Sequence, residues 1–137
     1  MKLPSQIVGN TGMYYACYKL SRMGWNVMPT ARNARGVDII AYNTGCTKLI
    51  GIQVKALSKK KNAVPLGNSL EKIMGDYWVI VTNVIDEPVV FVMEPDEVRS
   101  LAERKEKDGK ISYWLQYKSF INPRYEEAWE TIGRGDT

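Results

Sequence analysis

Gly36-Val37-Asp38-Ile39-Ile40-Ala41-Tyr42, then Asn43-Thr44-Gly45-Cys46-Thr47, then Lys48-Leu49-Ile50-Gly51-Ile52-Gln53-Val54-Lys55: this stretch decides the fold. Two apolar runs rich in β-branched residues flank a short segment with Asn and Gly, the signature of a β-hairpin. Side chains alternate along a strand, so Ile52 and Val54 face one way and Gln53 and Lys55 the other. Pairing Asn43 with Lys48 across the turn sets Asp38 opposite Gln53, with Cβ atoms about 5 Å apart. Asp38, Gln53 and Lys55 are then one polar cluster on an otherwise apolar hairpin. A carboxylate, an amide oxygen and the Val54 backbone carbonyl can hold magnesium, which takes oxygen ligands and keeps several waters. A lysine beside the ion can orient or deprotonate a water and neutralise charge developing on a phosphate. That is equipment for cutting a phosphodiester. The plain alternative is an edge hairpin whose outward face is simply wet.

Working outward, Met13, Ala16, Cys17 and Leu20 recur at helical spacing and predict a helix over 11–23, extending back toward Ser5 if Gly9 and Gly12 are tolerated. Trp25–Met28 reads as a short strand ended by Pro29. Ser58–Ser69 is a basic loop with Pro and Gly. Tyr77–Val84 and Val89–Met93 are strands joined through Ile85-Asp86-Glu87-Pro88. Pro95 opens a helix of about a dozen residues with acids in its first turn, and Asp108-Gly109 stops it. Ile111–Tyr117 is a further strand and Arg124–Ile132 a last short helix. Tyr14 and Tyr18 share a helix face and are read as packing residues. With no repeat and no linker, residues 1–137 form one domain of the α+β or mixed α/β class, a single mixed sheet flanked by helices.

Composition bounds the function. The chain has 137 residues, 45% apolar and 25% charged, which is ordinary for a globular protein and rules out wholesale disorder. The longest apolar runs are too short to cross a bilayer, and the start lacks the apolar stretch of a signal peptide. Cys17 and Cys46 match no metal-ligand spacing and suggest a reduced, cytoplasmic protein. The absence of histidine removes Ser-His-Asp and Cys-His catalysis and the common zinc sites. Net charge is +4, but residues 1–70 carry ten Lys and Arg against the single acid Asp38, whereas residues 71–137 carry nine against fourteen. A basic half is the footprint of a polyanion binder. Arg32 and Arg35 flank the entry to Asp38, and Lys59-Lys60-Lys61 follow the hairpin, so these five are the candidate nucleic-acid contacts.

The arrangement resembles the PD-(D/E)XK nuclease superfamily, which includes restriction endonucleases and archaeal Holliday-junction resolvases. There a helix precedes a hairpin that carries Asp and then (Glu or Gln)-x-Lys. Val37-Asp38 is similar to the first element and Gln53-Val54-Lys55 to the Gln-x-Lys variant. The resemblance covers roughly residues 5–95. It implies a restriction-endonuclease-like core and a magnesium- or manganese-dependent DNA endonuclease if the site is active. Asp38, Gln53 and the Val54 carbonyl would hold the metal, and Lys55 would assist the water. It also implies DNA as the partner, no membrane, and room for a homodimer. One departure stands out. Active relatives carry a glutamate on the first helix; Met13 occupies that position here, and residues 1–37 contain no Asp or Glu. The resemblance therefore implies weak metal binding, an acid arriving from elsewhere (Glu71 and Asp76 are the nearest later ones), or lost catalysis. The alternatives are a non-catalytic nucleic-acid-binding or assembly module on a nuclease fold, or an unrelated α+β interaction protein.

Overall fold

In the computed structural model, residues 2–31 and 36–137 are described. Helix α1 (Ser5–Arg22) is followed by strands β1 (Asn26–Pro29), β2 (Ile39–Tyr42) and β3 (Leu49–Ala56). Strand β4 (Val64–Gly67) and a 3-10 turn at Leu70–Lys72 lead to β5 (Tyr77–Thr82) and β6 (Val89–Met93). Helix α2 (Pro95–Leu101), strands β7 (Glu103–Lys107) and β8 (Lys110–Leu115), helix α3 (Tyr117–Phe120) and a 3-10 turn at Trp129–Thr131 complete the fold. No described helix is long and apolar enough to cross a membrane. Both cysteines are free thiols, Cys17 buried and Cys46 exposed.

Five strands form a mixed sheet in the order β1-β2-β3-β5-β6, in which only β3 and β5 run parallel. Tyr77–Val81 is an almost unbroken apolar run because β5 is covered on both faces. Val79 and Val81 join the α1-side core with Ala16, Leu20, Ile39 and Ile52. Trp78 and Ile80 join a second core with Leu66, Met93, Leu115 and Phe120.

The α+β class is as expected, but the single sheet is not the whole of it. A second sheet, β4-β8-β7, lies against the far face. Part of it comes from the segment read as a basic loop, where Pro65 and Gly67 bracket a register shift in β4. Strand β7 replaces the second half of the expected long helix, which ends at Leu101, while β8 is the strand expected over Ile111–Tyr117. Asp108 and Gly109 both have positive φ (53° and 76°), the conformation of a tight hairpin turn, and so join β7 to β8 rather than stopping a helix. The expected C-terminal helix is reduced to the 3-10 turn at Trp129–Thr131. Tyr14 and Tyr18 are exposed, not packed.

Helix α1 makes one of the fold's close contacts. It buries Val8, Gly12, Ala16, Cys17 and Leu20 against the sheet. At Gly12 the helix backbone meets β3 so closely that a Cβ there would overlap the Ala56 methyl. Gly9, one turn earlier, has nothing within 4 Å of where its Cβ would stand. The two glycines should therefore respond oppositely to one substitution. Gly9→Ala relieves the helix cost of glycine and should stabilise by about 0.5–1 kcal/mol. Gly12→Ala gains the same propensity but overpacks the interface, which typically costs about 1–3 kcal/mol, and should destabilise on balance. Urea unfolding of the two variants checks the sign of each.

Candidate active site

The hairpin turn closes in the expected register. Asn43 N–H donates to the Lys48 carbonyl, and the Asn43 side-chain oxygen accepts from the Thr47 and Lys48 N–H groups. The ladder then runs Tyr42↔Leu49 through Ile39↔Ile52, and Asp38 stands one step past its end. Asp38 N–H donates to the Ile52 carbonyl and its own carbonyl accepts from Thr30 N–H, both at 2.9 Å. The Asp38 carboxylate turns onto β3, where Oδ2 accepts the Val54 N–H at 2.7 Å. One carboxylate oxygen is thus held by backbone, which fixes the direction of the other.

Above this carboxylate lies a cleft of about 580 Å³ between α1 and the sheet. Val54, Thr30 and Ala31 line it from the sheet side, and Gln6, Gly9, Asn10 and Met13 from α1. Those four are spaced i, i+3, i+4, i+7, so a single helix face looks onto Asp38. Met13 is accordingly half-buried at the cleft, and the helix face against the sheet centres on Gly12 instead. Asn10 and Thr30 are polar cleft residues that no sequence signal singled out.

Gln53 and Lys55 sit on the other face of β3. The Gln53 amide oxygen accepts the Met74 N–H at a long 3.5 Å. The Lys55 ammonium lies 5.7 Å from the centre of the Trp78 ring, within cation–π range. The Trp78 indole N–H in turn donates to the Met74 carbonyl at 2.9 Å. Gln53 and Lys55 line a separate recess of about 260 Å³ with Gly36, Leu66, Gly67, Lys72 and Trp78. The expected single cluster of Asp38, Gln53 and Lys55 is therefore not formed: Asp38 stands past the end of the ladder and turns onto the Val54 N–H, which sets it with Val54 and Met13 at the cleft, while Gln53 and Lys55 line the recess on the other side of the strand. The Asp38 and Lys55 charges still reach each other: burial holds the Lys55 ammonium below its ordinary pKa, and Asp38 opposes that shift.

Among the described residues no three His, Cys, Asp or Glu side chains gather as a metal cluster. Neither later acid reaches the cleft. Asp76 spends Oδ2 on the Gly51 N–H at 2.7 Å and lines a different hollow with Glu94 and Asp96. Glu71 is exposed in the 3-10 turn. Lys59, Lys60 and Lys61 are exposed beyond β3; Arg32 and Arg35 lie outside the described residues. The ion pairs among the described residues, Arg99–Asp96, Arg104–Glu106, Arg124–Glu97 and Arg134–Asp136, all fall within 96–136. The cations of the basic half that the structure describes take no part in them.

No protein-family model and no curated protein matches the sequence. Solved structures do. The chain is similar to the bacterial homing endonuclease I-Ssp6803I at TM-score 0.64 and 19% identity, over 95% of this chain and 93% of that one. It is also similar to the Holliday junction resolvase Hjc of Archaeoglobus fulgidus at TM-score 0.62 and 17% identity, over 92% and 96%. Both are PD-(D/E)XK-like nucleases, and the chain has their fold.

The coupling of Asp38 to Lys55 has a measurable sign. Asp38→Asn removes the opposing charge, so the Lys55 pKa should fall further, as read by NMR titration of its side chain. A lysine whose folded pKa is depressed makes the unfolded chain bind more protons between the two pKa values, so stability rises with pH there. Urea unfolding between neutral pH and the ordinary lysine value of about 10.4 should show that rise. It should be enlarged in Asp38→Asn and absent in Lys55→Met.

Proposed function

We propose that the chain binds DNA and is a nuclease of weakened or lost activity, its reacting centre at Asp38, with Lys55 acting on it through its charge from the far face of β3. The observation that carries this reading is the Asp38 carboxylate. It is fixed on the Val54 N–H beneath the α1 cleft and lies within electrostatic reach of the half-buried Lys55. That pairing sits on a fold shared with a homing endonuclease and a Holliday junction resolvase, which argues for DNA as the polyanion. The cations described within residues 1–70, none of them in an ion pair among the described residues, agree with it.

The donor set fits a hard, oxygen-ligated dication, but thinly. Asp38 offers one carboxylate oxygen not used on Val54 and the Val54 carbonyl a neutral one, while Gln53 faces the recess instead of the cleft, so water must supply the remaining ligands. Magnesium or manganese bound there would stabilise charge on a phosphoryl oxygen and acidify a water. The protein's own share is separate. Asp38 holds the direction of its free oxygen, and Lys55 adds positive charge from the far face of β3. Trp78 packs beside the lysine stem and limits solvent around its charge. At Met13 the cleft receives a thioether where a second carboxylate would strengthen ion binding.

Three measurements test the reading. DNA affinity of the parent should fall steeply with salt, as expected when phosphates are neutralised by lysine and arginine. Calorimetry with manganese should give weak binding in the parent and binding at least about tenfold tighter, about 1.4 kcal/mol, in Met13→Glu. That gain should vanish in Met13→Glu/Asp38→Ala. Cleavage of plasmid DNA should follow the same order. Salt-sensitive DNA binding with no cleavage by the parent or by Met13→Glu would favour the non-catalytic module. Robust cleavage that survives Asp38→Ala would displace the chemistry from this site.

A further inference from the structure

We propose that the recess on the far face of β3 is a phosphate subsite for a polynucleotide strand, with Lys72 as its outer cation. Its walls come from five pieces of chain: Gly36 before β2, Gln53 and Lys55 from β3, Gly67 from the end of β4, Lys72 from the 3-10 turn and Trp78 from β5. Two ammonium groups and an amide line it, and no acid does. Neither lysine joins an ion pair among the described residues. Two like charges around one small hollow repel each other, and an anion between them converts that repulsion into attraction. At about 260 Å³ the recess falls below the range of about 300–1,000 Å³ that drug-sized ligands occupy. A phosphate group suits it better than a nucleobase with its sugar.

The backbone at Gly67 is shaped to bring Lys72 there. Gly67 has φ +87°, and a Cβ on it would stand 3.0 Å from Lys72 Cδ and 3.5 Å from Nζ. The lysine stem therefore lies across the bare Cα of a residue in the left-handed region, which glycine adopts at little cost. The register shift between Pro65 and Gly67 makes this bend in β4. Trp78 forms the floor, and its ring holds the Lys55 ammonium on the recess side. A phosphate here would be a different one from that facing Asp38, because Val54 lines the cleft while Gln53 and Lys55 line the recess.

The polynucleotide part of this inference rests on the DNA reading above; the anion part does not, and the experiment separates them. Duplex DNA binding by the full chain is titrated against salt for the parent, Lys72→Gln, Lys72→Arg and, as a control in the β7 strand, Lys107→Gln. Lys72→Gln should weaken binding about five- to tenfold at low salt and lower the log–log salt slope by about one. Lys72→Arg and Lys107→Gln should leave the slope as it is. In parallel, inorganic phosphate is titrated into labelled protein. It should shift the Gly67 and Lys72 amides and the Trp78 indole saturably in the parent, and not in Lys72→Gln. Where the parent binds DNA, the proposal is overturned by an unchanged slope in Lys72→Gln, by an equal loss in Lys72→Arg, or by amides that phosphate leaves unmoved. A parent that binds no DNA sinks the DNA reading instead. The phosphate titration alone then decides, with shifted amides supporting an anion site for free phosphate and unmoved ones ending it.

Discussion

The contact between Gly12 and Ala56 is the constraint on which the rest depends. Protein interiors are packed too densely for a helix to ride higher over a sheet without loss. With a glycine at the crossing, α1 settles directly on β3, the strand that also carries Gln53, Val54 and Lys55. The depth of that seat sets how far Gln6, Asn10 and Met13 stand from Asp38, and so fixes the width of the cleft. A helix free of acids can sit this close to a carboxylate without like-charge repulsion. It also leaves that carboxylate without an anionic companion.

Asp38 shows how a single backbone detail turns a strand residue into a site residue. Had the ladder continued one step, its side chain would point across at Gln53. The chain instead leaves the ladder at Ile39, sends the Asp38 N–H to Ile52 and lays the carboxylate on the next free N–H of β3. A charge-assisted hydrogen bond of this kind is among the stronger ones available to a carboxylate. It orders the group before any ligand arrives. Preorganisation of that sort is what a catalytic or ion-binding carboxylate needs. It also holds the β2–β3 opening in place.

Much of the fold was legible because its elements speak in one period. The hairpin alternation, the β5 run and the α1 stripe each follow a single rule, and the helix start near Ser5 and the register at Asn43 followed from them. The second sheet was hidden for physical reasons. Glu103-Arg104-Lys105-Glu106-Lys107 is charged and exposed at every position, so it offers no alternation to read. Asp-Gly serves both as a helix stop and as a hairpin turn, and only the partner strand chooses between them. At the site, Asp38 and Met13 could be found from local pattern and family likeness. Asn10, Thr30 and Lys72 could not, because their relevance comes from elements that meet only in three dimensions.

Strand β3 divides its side chains between two compartments at a spacing of one residue. Val54 belongs to the α1 cleft, and Gln53 and Lys55 to the recess behind it. The cleft's remaining walls come from the N-terminal third of the chain. Those of the recess come largely from the segment between β3 and β5. Substitutions in α1 can therefore remodel the chamber above Asp38 while the hollow around Lys55 keeps its shape, and changes in β4 can do the converse. A lineage built on this scaffold can erode one property and retain the other, since no wall residue except those of this one strand and its immediate approach has to answer to both.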